Sequence, residues 1–234
     1  MERDRSRYGH NHYALQRFDS TCLMRRAGKI LLIVVAAGVI VWLFPLFHVA
    51  RLDGNAATKG ETVFNASEFA TTFWNSKLMP ALNQSPDVVT VLAAFNEDGA
   101  TARDKFGRKI GVSRTSLLVV RGSGRIVSID KQGIGVAVTE GSQEADVVLK
   151  TGLVFGNIVR DATGLLDASA FNDSRQLNEI SVELNRIVEA RVVQKLKDTA
   201  KVGRQVSFAG CAEIPDEASS IHPLAIIPLE TRVE

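Results

Sequence analysis

The residues best placed to do chemistry crowd into one segment, Thr151–Asp167, which reads TGLVFGNIVRDATGLLD. Gly152 and Gly156 bracket an apolar stretch, and Asn157, Arg160 and Asp161 then bring three polar groups together within five residues. A guanidinium grips a carboxylate or phosphate through paired N–H donors, and Asn and Asp side chains hydrogen-bond sugar hydroxyls. Gly152, Gly156, Asn157, Arg160 and Asp161 are therefore the candidate ligand- or partner-binding set. The same residues also suit a structural role. An Arg160–Asp pair would pin the loop that leads into the next helix, with glycines supplying its tight turns. Both readings stand open at the level of sequence.

Other chemistries find less support. Beyond residue 50 the chain has one histidine, His222, with Ser219 and Ser220 nearby, and nothing resembles a nucleophile elbow. Asp216 and Glu217 read as a solvated turn. No His, Cys and Asp residues have metal-ligand spacing, and the His10-Asn-His12 triplet reads as incidental. Gly122-Ser-Gly124 lacks the third glycine and the following helix of a phosphate loop, so it reads as a hairpin turn. Two cysteines cannot form a disulfide framework, and Cys211, in an apolar run, reads as a small buried hydrophobe. No catalytic residue, metal or cofactor is assigned, and the chain reads as a binding or accessory protein ahead of an enzyme.

Charge and hydropathy place the chain. There are 28 basic and 26 acidic side chains, a net charge of +2, which excludes a nucleic-acid binder that works by bulk charge. Residues 1–50 hold seven basic side chains against three acidic ones. Residues 30–49, ILLIVVAAGVIVWLFPLFHV, carry no ionisable group except His48. Twenty helical residues span roughly 30 Å, the hydrocarbon thickness of a bilayer. Trp42, Phe44 and Phe47 cluster at one end and Arg25, Arg26 and Lys29 flank the other, which predicts a single-pass inner-membrane anchor with a cytoplasmic N-terminus. Cys22 precedes the apolar run, so the position that lipidation requires is not filled by it. The expected organisation is a basic cytoplasmic tail (1–29), a transmembrane anchor (30–49), a helical segment (50–110) and a β-rich domain (111–234), the last two outside the membrane.

The exterior elements follow from periodicity. Asn65-Ala-Ser-Glu68 has capping-box spacing, and Phe69, Phe73, Trp74 and Leu78 recur at helical intervals until Pro80 and the 83–86 stretch. A second helix is predicted from Asp87 to about Phe95, and a short third one over 100–106, stopped by Gly107. Ser113–Val120, Arg125–Asp130, Gly133–Thr139 and Asp146–Thr151 are β-branched runs separated by turn residues, an antiparallel meander. Asp173 then caps a long helix over 174–199, with Leu177, Ile180, Leu184, Ile187, Val188, Val192 and Leu196 in one apolar stripe. Gln205–Ile214 and Leu224–Val233 read as closing strands. The fold class predicted is α+β: an N-terminal transmembrane helix, then helices and a small antiparallel β-barrel or sheet, OB-like, with one long helix before the closing strands.

The GLVFGNIVRDATGLLD segment, the LNEISVELNRIVEARV helix, GRQVSFAGCAEI and PLAIIPLE resemble a family of predicted periplasmic lipoproteins, domain of unknown function 2291. WLFPLFHV and FATTFWNSKLMPAL are similar to it as well, so the resemblance spans roughly residues 40–234. On that pattern Gly152, Gly156, Arg160, Asp161 and Asn185 are matched positions. The resemblance implies a periplasmic location and an accessory role beside a sugar ABC transporter, with its permease or substrate-binding protein as partner at the inner membrane. The alternatives are a small-ligand module for a sugar or polyol, or an envelope protein or enzyme of unrecognised type.

Overall fold

The computed structural model describes residues 64–171, 173–218 and 220–234, and Thr62–Glu234 is one compact unit. Its first helix, α1 (Ala66–Phe73), starts where the Asn65 side chain accepts a hydrogen bond from the Glu68 N–H at 3.1 Å. The Glu68 carboxylate reaches back to the Asn65 side-chain amide at 3.4 Å. The helix widens through a π turn (Trp74–Leu78) and continues into α2 (Met79–Leu82), with Pro80 just after the widened turn. Asp87 caps α3 (Val88–Glu97) and Asp98 caps α4 (Gly99–Phe106), each with its carboxylate on the first free N–H groups.

Six strands follow: β1 (Arg108–Lys109), β2 (Thr115–Ile129), β3 (Gly133–Ala137), β4 (Val147–Lys150), β5 (Gln205–Pro215) and β6 (Leu224–Val233). Between β4 and β5 lie a short helix α5 (Ile158–Asp161) and a long one. The long helix runs from α6 (Ser174–Val188) through a π turn (Glu189–Val193) into α7 (Gln194–Thr199). The sheet order is β1-β2-β3-β4-β6-β5, and β2 also pairs with β5, so β2 to β6 close into a five-stranded barrel. β2 achieves this by serving two neighbours. Its whole first part pairs with β5, and from Arg125 onward it pairs with β3.

Strand alternation then builds two cores from one wall. On β5, Val206, Phe208, Ala212 and Ile214 face the barrel interior, where they meet Leu118, Ile126, Leu149 and Leu196. The opposite face presents Ala209 and Cys211 to α1, the π turn after it and α6, whose Phe73, Trp74, Ile180, Leu184 and Val188 cover it. Burial pushes the Cys211 thiol up to about 12, consistent with a small hydrophobe sealed in that layer.

The expected fold class needs correction in three respects. The transmembrane helix placed at its head is no part of the fold described: no helix among the described residues is long and apolar enough to cross a membrane. The run 30–49 and its flanks, including His10, His12 and Cys22, lie outside those residues. The barrel is also mixed, not antiparallel, because β4 and β6 run parallel over Val147–Leu149 and Leu224–Ile226. A parallel neighbour becomes available because β5, antiparallel to β6, returns the chain to the end of the barrel where β4 begins. Finally, Gly122-Ser-Gly124 is no hairpin turn but the middle of the single strand β2. A Cβ on Gly124 would collide with the Ala137 carbonyl, and one on Gly122 would lie 2.5 Å from Val88 Cγ1. The glycines serve close approach where the strand coils between neighbours, not reversal of the chain.

Candidate functional site

Arg160 and Asp161 lie on α5, which packs Val159 into the helix-layer core. The Arg160 guanidinium is buried and its hydrogen bonds are made within the protein. Nε donates to Asp161 Oδ1 at 2.6 Å and Nη2 to Asp161 Oδ2 at 2.8 Å, a two-point grip. Nη1 donates to the Leu177 carbonyl and to Ser181 Oγ, both at 3.1 Å and both on α6. Ser181 Oγ in turn donates to the Leu177 carbonyl at 3.0 Å. This cluster fastens the short helix to the first turns of the long one.

The other candidates face a different place. Gly156 and Asn157 line a groove of about 430 Å³ between the loop 154–157 and α6. Its α6 side carries Asn178, Ser181, Val182 and Asn185, with Glu189 one turn further, all at helical spacing on one face. Two bonds fix the loop against this face. The Val154 N–H donates to Glu189 Oε1 at 2.7 Å, and Asn185 Nδ2 donates to the Gly156 carbonyl at 3.0 Å. Gly156 has φ +79°, the left-handed region that glycine adopts without strain, and this aims its carbonyl at Asn185. Nothing in the structure requires glycine at 152.

Held this way, the loop buries Val154 and displays its neighbours. Leu153 is 72% exposed and Phe155 75%, and across the groove Val182 is 55% exposed. Exposed apolar side chains scattered singly need no explanation, but an exposed Leu–Phe pair on a pinned loop beside an exposed valine is a feature of binding surfaces.

The remaining titratable candidates take structural places. Asp216 accepts from Lys109 Nζ at 3.1 Å and Glu217 pairs with Arg114 at 2.9 Å, tying the loop before β6 to both ends of the β1–β2 connection. His222 is exposed, with Nδ1 4.0 Å from Asp146 Oδ1. Among the described residues, no three His, Cys, Asp or Glu side chains gather as a metal-binding group.

Comparison with known proteins agrees with this architecture. The family model described as "Predicted periplasmic lipoprotein (DUF2291)" matches residues 37–232. The chain belongs to that family. Its description supports a periplasmic location and carries no activity. Among solved structures, an OB-fold protein from Thermotoga maritima is similar, with 29% identity and a TM-score of 0.66, over 74% of this chain and 100% of that one. The closed barrel is thus an OB-fold barrel, with the helical layer built on one wall. No curated protein matches the chain.

Of the five residues singled out in the sequence, the structure places Gly156 and Asn157 on the groove and spends Arg160 and Asp161 on the scaffold behind it. Sequence reasoning missed Phe155 as a displayed side chain and Asn178, Val182 and Glu189 as the opposite wall. The signal available was the repeat of polar residues at 178, 181, 185 and 189, which lies off the apolar stripe and marks a second face of the same helix.

Proposed function

We propose that the protein is a periplasmic accessory factor that docks, through the lip formed by Leu153, Phe155 and Val182, onto a component of an ABC-type sugar uptake system at the inner membrane. The partner is its permease or its substrate-binding protein. The observation that supports this reading is the display of Leu153 and Phe155 on a loop fastened at both Val154 and Gly156. A loop free to move would fold these side chains inward. One held by a carboxylate and an amide keeps them out, so their exposure belongs to the folded state and is available to a partner.

The test is purification of the full-length protein from native membranes in mild detergent, with mass spectrometry of what accompanies it. Permease or binding protein should be recovered in stoichiometric yield, and should be lost from a Leu153→Ser/Phe155→Ser variant whose melting temperature is unchanged. Identical recovery from the variant, or no transporter component with either protein, overturns the proposal.

A further inference from the structure

The helical layer leaves part of the barrel's outer wall uncovered. On β5 its cover ends at Ala209, and the next outward side chain, Ser207, is exposed. There the wall is hollowed into a cleft of about 400 Å³, with Leu82 and Asn83 at one margin and β6 at the other. Two cross-strand rows make its floor. Ser123 on β2 lies opposite Ser207, which lies opposite Arg232 on β6, and Arg121 on β2 lies opposite Ala209, which lies opposite Glu230. Ser123, Ser207 and Ala209 are small, so the long side chains at the corners stand around an open centre.

The two arginines occupy diagonal corners. Arg121 is held in place: its Nε donates to the Ser85 carbonyl at 3.0 Å and its backbone N–H to the Pro86 carbonyl at 3.0 Å. Its Nη1 and Nη2 have no partner among the described residues, and the exposed guanidinium of Arg232 has none either. With strands about 4.8 Å apart and residues rising about 3.3 Å, the two backbones are about 12 Å apart. Guanidiniums turned inward from both corners leave room for one oxyanion, which each meets with paired N–H donors. The two serine hydroxyls on the floor are further donors. The acids at the margin do not fill this place. Asp87 caps α3, accepting from the Val89 N–H at 2.9 Å, and Glu230 forms no ion pair among the described residues. Glu230 disfavours a bare anion and accepts from a hydroxyl carried by the same molecule.

We infer that this cleft binds a small hydroxylated organic anion, its phosphate or carboxylate held between Arg121 and Arg232 and one hydroxyl donating to Glu230. Both arginines reach solvent, so the ligand meets them without any opening of the fold. The cleft shares no residue with the docking lip proposed above and is tested without any partner.

The experiment is saturation-transfer NMR on the purified full-length protein in an uncharged detergent, with glycerol 3-phosphate and gluconate as probes and chloride held at about 0.15 M to screen diffuse attraction. At least one probe should receive saturation from the protein, and which one does so separates a phosphate site from a carboxylate site. The neutral counterparts, glycerol and glucose, should give no signal. Arg232→Gln, a change at an exposed side chain without a partner, should weaken binding roughly tenfold or more. Arg191→Gln, an exposed arginine outside the cleft, should leave binding unchanged. Absence of signal from both anions, equal signal from the neutral counterparts, unchanged binding in Arg232→Gln, or an equal loss in Arg191→Gln each overturns the assignment. None of these results depends on a transporter component, so the fate of the docking proposal stays separate.

Discussion

Replacing Arg160 by methionine isolates what the buried cluster contributes. Methionine keeps much of the stem and removes the guanidinium. Asp161, whose side chain is 18% exposed, is then left with its charge and without its cation, and the Leu177 carbonyl loses a donor. Breaking a buried pair from one side costs about 3–5 kcal/mol. Because Asp161 keeps some contact with water, the lower end applies, about 3 kcal/mol. For a unit of this size each kcal/mol moves the melting temperature by about 2–4 °C, so the variant should melt roughly 6–12 °C lower. Removing both charges with Arg160→Met/Asp161→Leu leaves no orphaned ion, and the loss should fall to about 1–2 kcal/mol. Urea denaturation followed by far-UV circular dichroism, run as a double-mutant cycle, measures the difference. If Arg160→Met costs less than about 0.5 kcal/mol and the two changes simply add, the cluster fastens nothing. The guanidinium would then be available for a ligand after all.

Other expectations are narrower. Cys211, buried and neutral until about pH 12, should resist alkylation at pH 8 in the folded protein and react once urea unfolds it; peptide mapping by mass spectrometry reads both states. Gly124→Ala puts a methyl group onto the Ala137 carbonyl and within 2.8 Å of Val136 Cγ1, and should cost about 1–3 kcal/mol in a denaturant titration. The Asp98 carboxyl is held below its usual range, first by the Thr101 hydroxyl and then by the Thr101 and Ala100 N–H groups. A depressed carboxylate stabilises the fold above its unfolded pKa and loses that contribution as pH falls through the folded value. Asp98→Asn should therefore lower stability at pH 7 to 8, where the carboxylate contributes, and flatten the acid side of the profile, so that the two proteins converge as pH falls.

The parts of this fold legible in the sequence are those set by local chemistry. Asn65, Asp87 and Asp173 announce helix starts because a short polar side chain there satisfies free N–H groups whatever surrounds it. The stripe from Ile180 to Leu196 announces a long helix because one face must be apolar, though the π turn at Glu189–Val193 escapes notice since the stripe tolerates one extra residue per turn. What escaped depends on partners distant in sequence. Gly122 and Gly124 look like a turn until Val88 and Ala137 are known to cross them. The parallel pairing of β4 with β6 leaves no mark on either strand. Arg160 is a site or a scaffold according to whether Ser181 and Leu177 already fill its donors, and Asn185 looks like one more polar residue on an exposed face until the Gly156 carbonyl is seen to fix its amide.

The pairing of β2 bears on how such a chain is made. From Thr115 against Pro215 to Arg125 against Gln205, its partners lie 80 to 100 residues further along the chain. Contacts of that span are entropically expensive to form early and dominate the folding time. A chain emerging from the ribosome therefore has its first long strand synthesised well before β5 can receive it, and the barrel stays open until the final thirty or so residues arrive.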